Sequence, residues 1–171
     1  MPKLILGIGI PGSGKTTILR KIADENGYVY ISTDELRTEI TGKPMDQSRQ
    51  DEVIAEMYRR TAEGLKSTGV VVDGTFTNAA HRREFLEFAR ANGAEKIQGV
   101  LADVPTEIAK ERNLKRERVV REVVIDRKAA ELQAEPPKPT DGFDAIFTVD
   151  EFQKLLSAEN ENTKKEWERP H

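Results

Sequence analysis

Residues 9–16 have the types and spacing needed to bind a chain of phosphate groups: they read Gly-Ile-Pro-Gly-Ser-Gly-Lys-Thr. The glycines permit backbone conformations that a side chain would forbid, so that consecutive N–H groups can point at one anion. Lys15 can reach the β- and γ-phosphates of a nucleoside triphosphate, and the hydroxyl of Thr16 can bind Mg²⁺. This spacing predicts a P-loop. Its expected nucleotide-binding residues are Gly12, Ser13, Gly14, Lys15, Thr16 and Thr17.

The residues on either side of the P-loop support the same interpretation. Residues 4–8 form an apolar run, and residues 17–25 have the spacing of a helix, whose N-terminus would add unpaired N–H groups. Residues 7–12 also fit G-x-G-x-x-G, the glycine pattern of dinucleotide-binding folds. That alternative leaves Lys15 and Thr16 without a role, so the pattern as a whole favours the P-loop.

A carboxylate and an arginine follow the second predicted strand, at Asp34 and Arg37. Ligands of open parallel sheets bind beyond the carboxyl ends of the strands, so we expect both side chains to face the P-loop. Asp34 could accept the proton of an attacking hydroxyl, and Arg37 could bind an anionic group of the acceptor through paired hydrogen bonds. In the structural alternative, Ser32 or Asp34 caps a helix and Arg37 is a surface charge.

A second acid, Asp73, ends the third predicted strand. P-loop proteins often carry an acid here that holds the metal ion directly or through water, so Thr16 and Asp73 are the predicted metal ligands. Asp73 could instead line the acceptor pocket or form a turn at the strand end. Thr75 and Phe76 follow it and are assigned to the acceptor side, where the ring of Phe76 either stacks on a base or fills the core.

A basic segment after the fourth predicted strand carries the charge that phosphoryl transfer requires. Arg112 and Arg116 are four residues apart, which places both guanidinium groups on one helix face. On a closing lid they would stabilise the transferring group and exclude water. The alternative is a solvated face paired with neighbouring glutamates. The other basic residues of the segment are Lys110, Lys115, Arg118 and Arg121.

The composition excludes several other kinds of site. With a net charge of −3, the chain has no overall positive field, so a nucleic-acid site would need a local basic patch. The chain contains no cysteine, which excludes disulfides, thiolate zinc sites and a cysteine nucleophile. No apolar run is long enough to span a membrane and no signal peptide is recognisable, so we expect a cytoplasmic protein without membrane contact.

Apolar, β-branched runs alternate with helix-periodic stretches along the 171 residues, which predicts one α/β domain with a parallel sheet between two layers of helices. Strands are expected near residues 3–10, 28–32, 70–73, 96–102 and 145–149. Helices are expected from Asp34, over 48–66, over 78–91 with Asn78 as N-cap, and over 106–114. Residues 119–125 fit a strand or a helix, and the prolines of 135–139 predict an extended loop.

Nearly the whole chain resembles the small P-loop kinases grouped around phage and bacterial 5′-polynucleotide kinases, within the adenylate-kinase-like branch and its zeta-toxin-like relatives. The segments that carry the resemblance are 3–16, 32–37, 71–75 with Arg82 and Arg83, 103–105 and 111–116. The resemblance implies a five-stranded parallel sheet in the order 2-3-1-4-5 and an arginine-bearing helical lid near residues 112–135. We expect the kinase domain to cover residues 1–156, and residues 157–171 to form a polar tail, frayed or loosely docked as a helix.

The resemblance also implies ATP and Mg²⁺ as cofactors and a role for each predicted side chain. Asp34 would be the general base, and Arg37 would bind the acceptor, a 5′-hydroxyl end of RNA or DNA. Arg112 and Arg116 would clamp the ATP phosphates. The expected catalytic residues are then Lys15, Asp34, Arg37 and Arg116.

Phe76 departs from the pattern, since these kinases usually have asparagine there. The acceptor could therefore be a small molecule, such as a polyol, nucleoside or antibiotic, or an aminoacyl-tRNA. A third hypothesis is a nucleotide-gated binding module that hydrolyses ATP slowly. Against it, the chain has neither the Asn-Lys-x-Asp motif of GTPases nor the Leu-Ser-Gly-Gly-Gln motif of ABC proteins. The sequence leaves RNA or DNA preference, the donor base and the oligomeric state open.

Overall fold

The expected parallel sheet is present in the computed structural model, which describes residues 2–116 and 119–168, with side chains described as far as residue 159. Among these residues it has five strands: β1 (Lys3–Ile8), β2 (Val29–Ser32), β3 (Gly69–Asp73), β4 (Lys96–Leu101) and β5 (Ala145–Thr148). Neighbouring strands pair in parallel in the order β2-β3-β1-β4-β5, which confirms the predicted order. Since β1 lies between β3 and β4 and runs parallel to both, the loops that follow β1, β3 and β4 meet at one edge of the sheet.

Helices connect the strands, as the alternating pattern predicts. They are α1 (Thr16–Asn26), α2 (Thr33–Thr41), α3 (Gln50–Gly64), α4 (Ala79–Ala91), α5 (Thr106–Leu114), α6 (Glu122–Ala134) and α7 (Val149–Glu168), with a short 3₁₀ helix at Pro139–Asp141. The segment expected as a polar tail continues α7 beyond residue 156. Within the described part of the chain, no helix combines the length and the apolar character needed to cross a membrane.

Each face of the sheet is covered by helices, because successive strand residues point to opposite sides. Leu6 of β1 lies in a buried cluster with Met57 of α3 and Phe85 of α4. Ile5, its neighbour in the strand, lies in a second buried cluster with Leu19 of α1. This arrangement confirms the three-layer α/β/α architecture.

Residues 119–125, which fit either a strand or a helix, lead into α6. Ile125 and Ala129, one helical turn apart, are buried in a cluster with Ile10 and Ala109. Their β-branched neighbours favour strands locally, but the apolar positions recur at helical spacing and are covered by α5. The tertiary contacts of Ile125 and Ala129 therefore favour a helix over a strand.

Side-chain caps define where α2 and α4 begin. The hydroxyl of Ser32 accepts a hydrogen bond of 3.3 Å from the backbone N–H of Glu35. The side-chain oxygen of Asn78 accepts one of 3.0 Å from the N–H of His81, as predicted. Because Ser32 caps α2, the carboxylate of Asp34 in the first turn is not needed as a cap.

Candidate active site

The P-loop joins β1 to α1, and two of its glycines have left-handed backbone conformations: Gly12 with a φ of +82° and Gly14 with a φ of +88°. A β-carbon on Gly12 would also lie 2.3 Å from the carbonyl oxygen of Ala109, since the loop packs directly against α5. Any other residue would strain the backbone and displace the helix. The loop can therefore keep this shape only with glycine at position 12.

Ser13 gives the P-loop an unused hydrogen-bonding group. Its Oγ atom is buried and has no hydrogen-bond partner among the residues that the structure describes. A buried polar atom without a partner costs free energy, so this atom fits a site for the phosphate oxygens of a ligand. Thr17, in the first turn of α1, is exposed.

Asp73, at the end of β3, is buried beside the P-loop and contacts both Lys15 and Thr16. Its Oδ1 atom lies 3.6 Å from Nζ of Lys15, and its Oδ2 atom accepts a hydrogen bond of 2.8 Å from the hydroxyl of Thr16. Within the described ranges, no group of three or more acidic or histidine side chains is arranged to hold a metal. Thr16 and Asp73 together fit Mg²⁺, which is usually held by one or two protein groups, phosphates and water.

Tyr30 is a site residue that the sequence analysis missed. Its hydroxyl donates a hydrogen bond of 2.7 Å to Oδ2 of Asp73. Burial, followed by the negative charge of Asp73, raises the pKa of Tyr30, so the hydroxyl stays protonated and remains a donor. The guanidinium of Arg20 lies over the ring, 4.6 Å from its centre, and pairs with Glu35. The sequence did contain a signal for Tyr30. It lies two residues before Ser32, so both side chains point to the same face of β2.

A cavity of about 310 Å³ connects Asp34 with the predicted metal ligands. The carboxylate of Asp34 is half-exposed and faces two guanidinium groups. Nη1 of Arg37 donates a hydrogen bond of 2.9 Å to its Oδ1 atom, and Nη2 of Arg116 lies 3.8 Å from its Oδ2 atom. The lining residues of the cavity are Thr16, Arg20, Tyr30, Ser32, Asp34, Glu35, Asp73 and Arg116. The predicted base thus shares one cavity with Thr16 and Asp73.

Arg37 is buried, which excludes the alternative of a surface charge. Its Nε and Nη2 atoms both donate to Oε1 of Gln50 at 3.3 Å, and Nη1 also donates to the carbonyl of Pro44 at 3.5 Å. These contacts hold the guanidinium beside Asp34. Gln50, the first residue of α3, is a second residue that the sequence analysis missed, and no local pattern marks it.

Thr75 and Phe76, which the sequence analysis assigned to the acceptor side, do not line the cavity. The ring of Phe76 packs against the buried cluster that contains Met57 of α3 and Phe85 of α4. Its centre lies 5.4 Å from the centre of the Phe85 ring. Its φ of +46°, uncommon for a residue with a side chain, turns the chain here. Thr75 contributes its carbonyl, which accepts a hydrogen bond of 3.1 Å from the N–H of Gly9. Of the two alternatives for Phe76, the structure favours core filling over base stacking.

The two predicted lid arginines contact different parts of the site. Nη1 of Arg112, on α5, donates a hydrogen bond of 3.2 Å to the carbonyl of Ser13 in the P-loop. Arg116, just beyond the end of α5, lies beside Asp34 in the cavity. The two guanidinium groups thus place positive charge both at the P-loop and beside the predicted base. Arg118 of the same basic segment lies outside the described residues.

Asn113, between these arginines, is a third residue that the sequence analysis missed. It is buried, and its amide nitrogen donates a hydrogen bond of 2.7 Å to the carbonyl of Val120. Its Oδ1 atom accepts one of 3.0 Å from the N–H of the same residue. This pair of hydrogen bonds joins the last turn of α5 to Val120, which precedes α6.

Helix α6, the second half of the predicted lid, is attached to the loop after β3. The hydroxyl of Thr77 donates a hydrogen bond of 3.1 Å to Oε1 of Glu131. The N–H of Ala79 donates one of 2.9 Å to Oε2 of Glu135. These contacts set the face that α6 presents to the site.

Known proteins resemble the chain in sequence and in fold. A family model described as an AAA domain, AAA_33, matches residues 4–136. A relative from Acanthamoeba polyphaga mimivirus, described as a bifunctional polynucleotide phosphatase/kinase, is 28% identical over 112 residues, which are 65% of this chain and 23% of that protein. An adenylate kinase of Campylobacter curvus is 34% identical over 132 residues, covering 69% of this chain and 70% of that enzyme.

Among solved structures, a chain of the Pnkp1/Rnl/Hen1 RNA repair complex superposes with a TM-score of 0.68 at 22% identity, over 78% of this chain and 44% of that chain. At this identity the comparison shows a shared fold. The chain spans well under half of the mimivirus protein and less than half of the repair-complex chain. The match of the family model over most of the sequence shows that the chain belongs to the AAA_33 family of P-loop kinases.

Proposed function

We propose that the chain transfers the γ-phosphate of ATP to the 5′-hydroxyl of an RNA or DNA end. The observation that carries the proposal is the position of Asp34, whose carboxylate lines the same cavity as Thr16 and Asp73 and lies 3.8 Å from the lid arginine Arg116. A proton acceptor beside a phosphate-binding loop is of use to an enzyme that activates a hydroxyl. The polynucleotide kinase named in the mimivirus relative supports the choice of acceptor.

The nucleotide side of the proposed site consists of the P-loop and its neighbours. The backbone N–H groups of residues 12–14 and the ammonium group of Lys15 would hold the β- and γ-phosphates. Thr16 and Asp73 would hold Mg²⁺, which supplies positive charge that offsets the charge of these phosphates. Tyr30, by donating to Asp73, would orient the carboxylate. Arg112 would add positive charge beside Ser13.

The transfer step needs one proton acceptor. Asp34 would accept the proton of the 5′-hydroxyl as its oxygen forms a bond to the γ-phosphorus and the bond from that phosphorus to the β–γ bridging oxygen breaks. The products are ADP and a 5′-phosphorylated end, and Asp34 then returns the proton to solvent. Arg37 would orient Asp34 and bind a phosphate of the acceptor, while Arg116 would stabilise charge on the transferring group.

A small hydroxyl compound or an aminoacyl-tRNA is the second candidate acceptor. One observation favours it: Phe76 fills the core, so it offers no stacking surface to a base. The reaction and the roles of Asp34 and Lys15 would be unchanged. Slow ATP hydrolysis by a nucleotide-gated binding module remains the third hypothesis.

One transfer experiment tests all three. The protein is incubated with radiolabelled ATP, Mg²⁺ and separate acceptors: 5′-hydroxyl oligonucleotides of RNA and DNA, the same oligonucleotides with a 5′-phosphate, nucleosides, polyols and aminoacyl-tRNA. Label in the 5′-hydroxyl oligonucleotides alone supports the proposal. Label only in another acceptor supports the second candidate, and release of free phosphate without transfer supports the third.

A further inference from the structure

Arg20 of α1 has no role in the proposed transfer step, although it lines the cavity that contains Asp34. It follows Thr16 by four residues, so both side chains lie on one face of the helix. The side chain of Arg20 is 50% exposed. With about 310 Å³, the cavity has the size of a small ligand pocket. Arg20 is therefore accessible to a ligand that enters beside the predicted base.

Two neighbours hold the guanidinium group of Arg20 in place. It lies over the ring of Tyr30, with its central carbon 4.6 Å from the ring centre. Its Nη2 atom pairs with Glu35, the residue that follows Asp34 in α2. The ion pair thus brings the guanidinium group to the residue next to the predicted base.

These two contacts use different parts of the guanidinium group. Its N–H groups lie in the plane of the group, so the pair with Glu35 is made at an edge. The contact with Tyr30 is made by one of the two flat faces. Because half of the side chain is exposed, the opposite face is available to a second planar group. Arg20, supported by Tyr30, therefore forms a stacking surface in the cavity.

A stacking surface of this kind suits a nucleobase. Bases of single-stranded nucleic acids stack on aromatic rings and on the planes of arginine side chains. Phe76, the residue that the sequence analysis considered for this contact, fills the core instead. Arg20 offers such a surface in the same cavity as Asp34.

We infer that the base of the terminal nucleotide of the acceptor stacks on the guanidinium group of Arg20, and that this contact selects nucleotide ends over polyols. The inference rests on the proposed function, in which the 5′-hydroxyl approaches Asp34. The hydroxyl and the base belong to the same nucleoside, so one can reach Asp34 while the other contacts Arg20. Since every base has a flat face, the contact requires a base without distinguishing strongly among bases.

The test compares two 5′-hydroxyl oligonucleotides that differ only in their first nucleotide, which is complete in one and is replaced by an abasic tetrahydrofuran residue in the other. Both carry the same hydroxyl and the same phosphates, so a difference in KM reports on the base. For the native chain we expect a KM about tenfold lower for the complete oligonucleotide. Transfer to both with equal KM values would overturn the inference and leave the proposed function standing. Transfer to neither would show that the proposed function is wrong, and the inference would fail with it.

Arg20→Lys keeps the positive charge but removes the flat guanidinium group. It should raise the KM of the complete oligonucleotide about tenfold, to the value of the abasic one. The kcat and the KM values for the abasic oligonucleotide and for ATP should change little. An Arg20→Lys variant with the native preference would show that charge, and not stacking, is what the acceptor contacts, and would overturn the inference.

Lys21→Ala is the matched control, because Lys21 is an exposed cation on the same helix and does not line the cavity. It should keep the native preference for the complete oligonucleotide, whereas Arg20→Ala should lose it. An equal loss of preference in both alanine variants would contradict a specific contact with Arg20.

Thermal unfolding separates stacking from a structural role. The pair between Arg20 and Glu35 is largely exposed, so its loss should change the Tm little. A marked decrease in the Tm of Arg20→Lys, together with an equal rise in both KM values, would show that Arg20 only holds α1 and α2 together.

Discussion

Nη2 of Arg116 lies 3.8 Å from Oδ2 of Asp34, so the predicted lid and the proposed base are in direct electrostatic contact. The other carboxylate oxygen accepts a hydrogen bond of 2.9 Å from Arg37. One of these arginines belongs to α2, which is capped at the end of β2, and the other to the segment after α5. The position of the base is thus coupled to the position of the lid.

Asp34→Asn keeps the size of the side chain but removes its capacity to accept a proton. We expect kcat for transfer to fall at least about 100-fold, with ATP affinity nearly unchanged, because Asp34 lies on the acceptor side of the cavity. Steady-state kinetics and calorimetric titration with ATP measure the two effects. Glu35→Gln, which changes a neighbouring acid in the same cavity, should have a much smaller effect on kcat. Full turnover by Asp34→Asn would show that the base is another group.

Tyr30→Phe removes the hydroxyl that donates to Asp73 and leaves the ring. Because Asp73 loses a hydrogen bond that orients it towards Thr16, the Mg²⁺ concentration for half-maximal activity should rise about two- to tenfold. Titration of activity with Mg²⁺ at saturating ATP measures this shift. Tyr28→Phe is the control, since the Tyr28 ring packs against Gly69 away from the cavity. An identical Mg²⁺ dependence in both variants would contradict the role given to Tyr30.

Gly12→Ala and Gly27→Ala form a pair that separates backbone strain from packing. Both glycines have positive φ, +82° and +67°, so the backbone strain of alanine alone should cost about 1 kcal/mol of stability at either position. A β-carbon at Gly12 would also lie 2.3 Å from the carbonyl of Ala109, whereas nothing lies within 4 Å at Gly27. Only Gly12→Ala should therefore weaken ATP binding, by at least about tenfold. Equal ATP affinities would argue against the close packing of α5 on the P-loop.

Asp141 links stability to pH through a buried ion pair. It accepts hydrogen bonds from Arg82 at 3.2 Å, from Arg83 at 3.1 Å and from the N–H of Lys138 at 3.1 Å. Burial alone would raise the pKa of Asp141, but these hydrogen bonds hold it below its ordinary value. Because the carboxylate has a lower pKa in the folded state than in the unfolded state, its contribution to stability is complete above the unfolded value and is lost as the pH falls through the folded value.

Asp141→Asn should accordingly lower the free energy of unfolding by about 3 kcal/mol at pH 7, since it leaves the buried guanidinium of Arg82 without its counter-charge. The difference from the native chain should shrink as the pH is lowered below the ordinary pKa of an aspartate. Urea denaturation over a pH series measures it. Asp24→Asn, an exposed change on α1, should alter stability little at any pH. A pH-independent difference for Asp141→Asn would mean that its charge is not involved.

Local patterns in the sequence determined the P-loop, the strands and the caps at the starts of helices. The P-loop spacing places phosphate-binding groups within a few residues of one another, so no distant contact is needed to recognise it. Asn78 begins α4 because a cap acts on an N–H three residues away. An unbroken apolar run such as residues 70–72 is typical of a strand covered on both sides, and β3 is fully buried.

Tertiary structure alone decided which side chains meet in the cavity and around it. Tyr30 contacts Asp73, and Arg37 contacts Gln50, although the residues of each pair are well separated in the chain. Phe76 fills the core because a turn with positive φ directs its ring there. Such contacts depend on how strands and helices pack against one another, and the free energy of that packing is shared among residues that no local pattern connects.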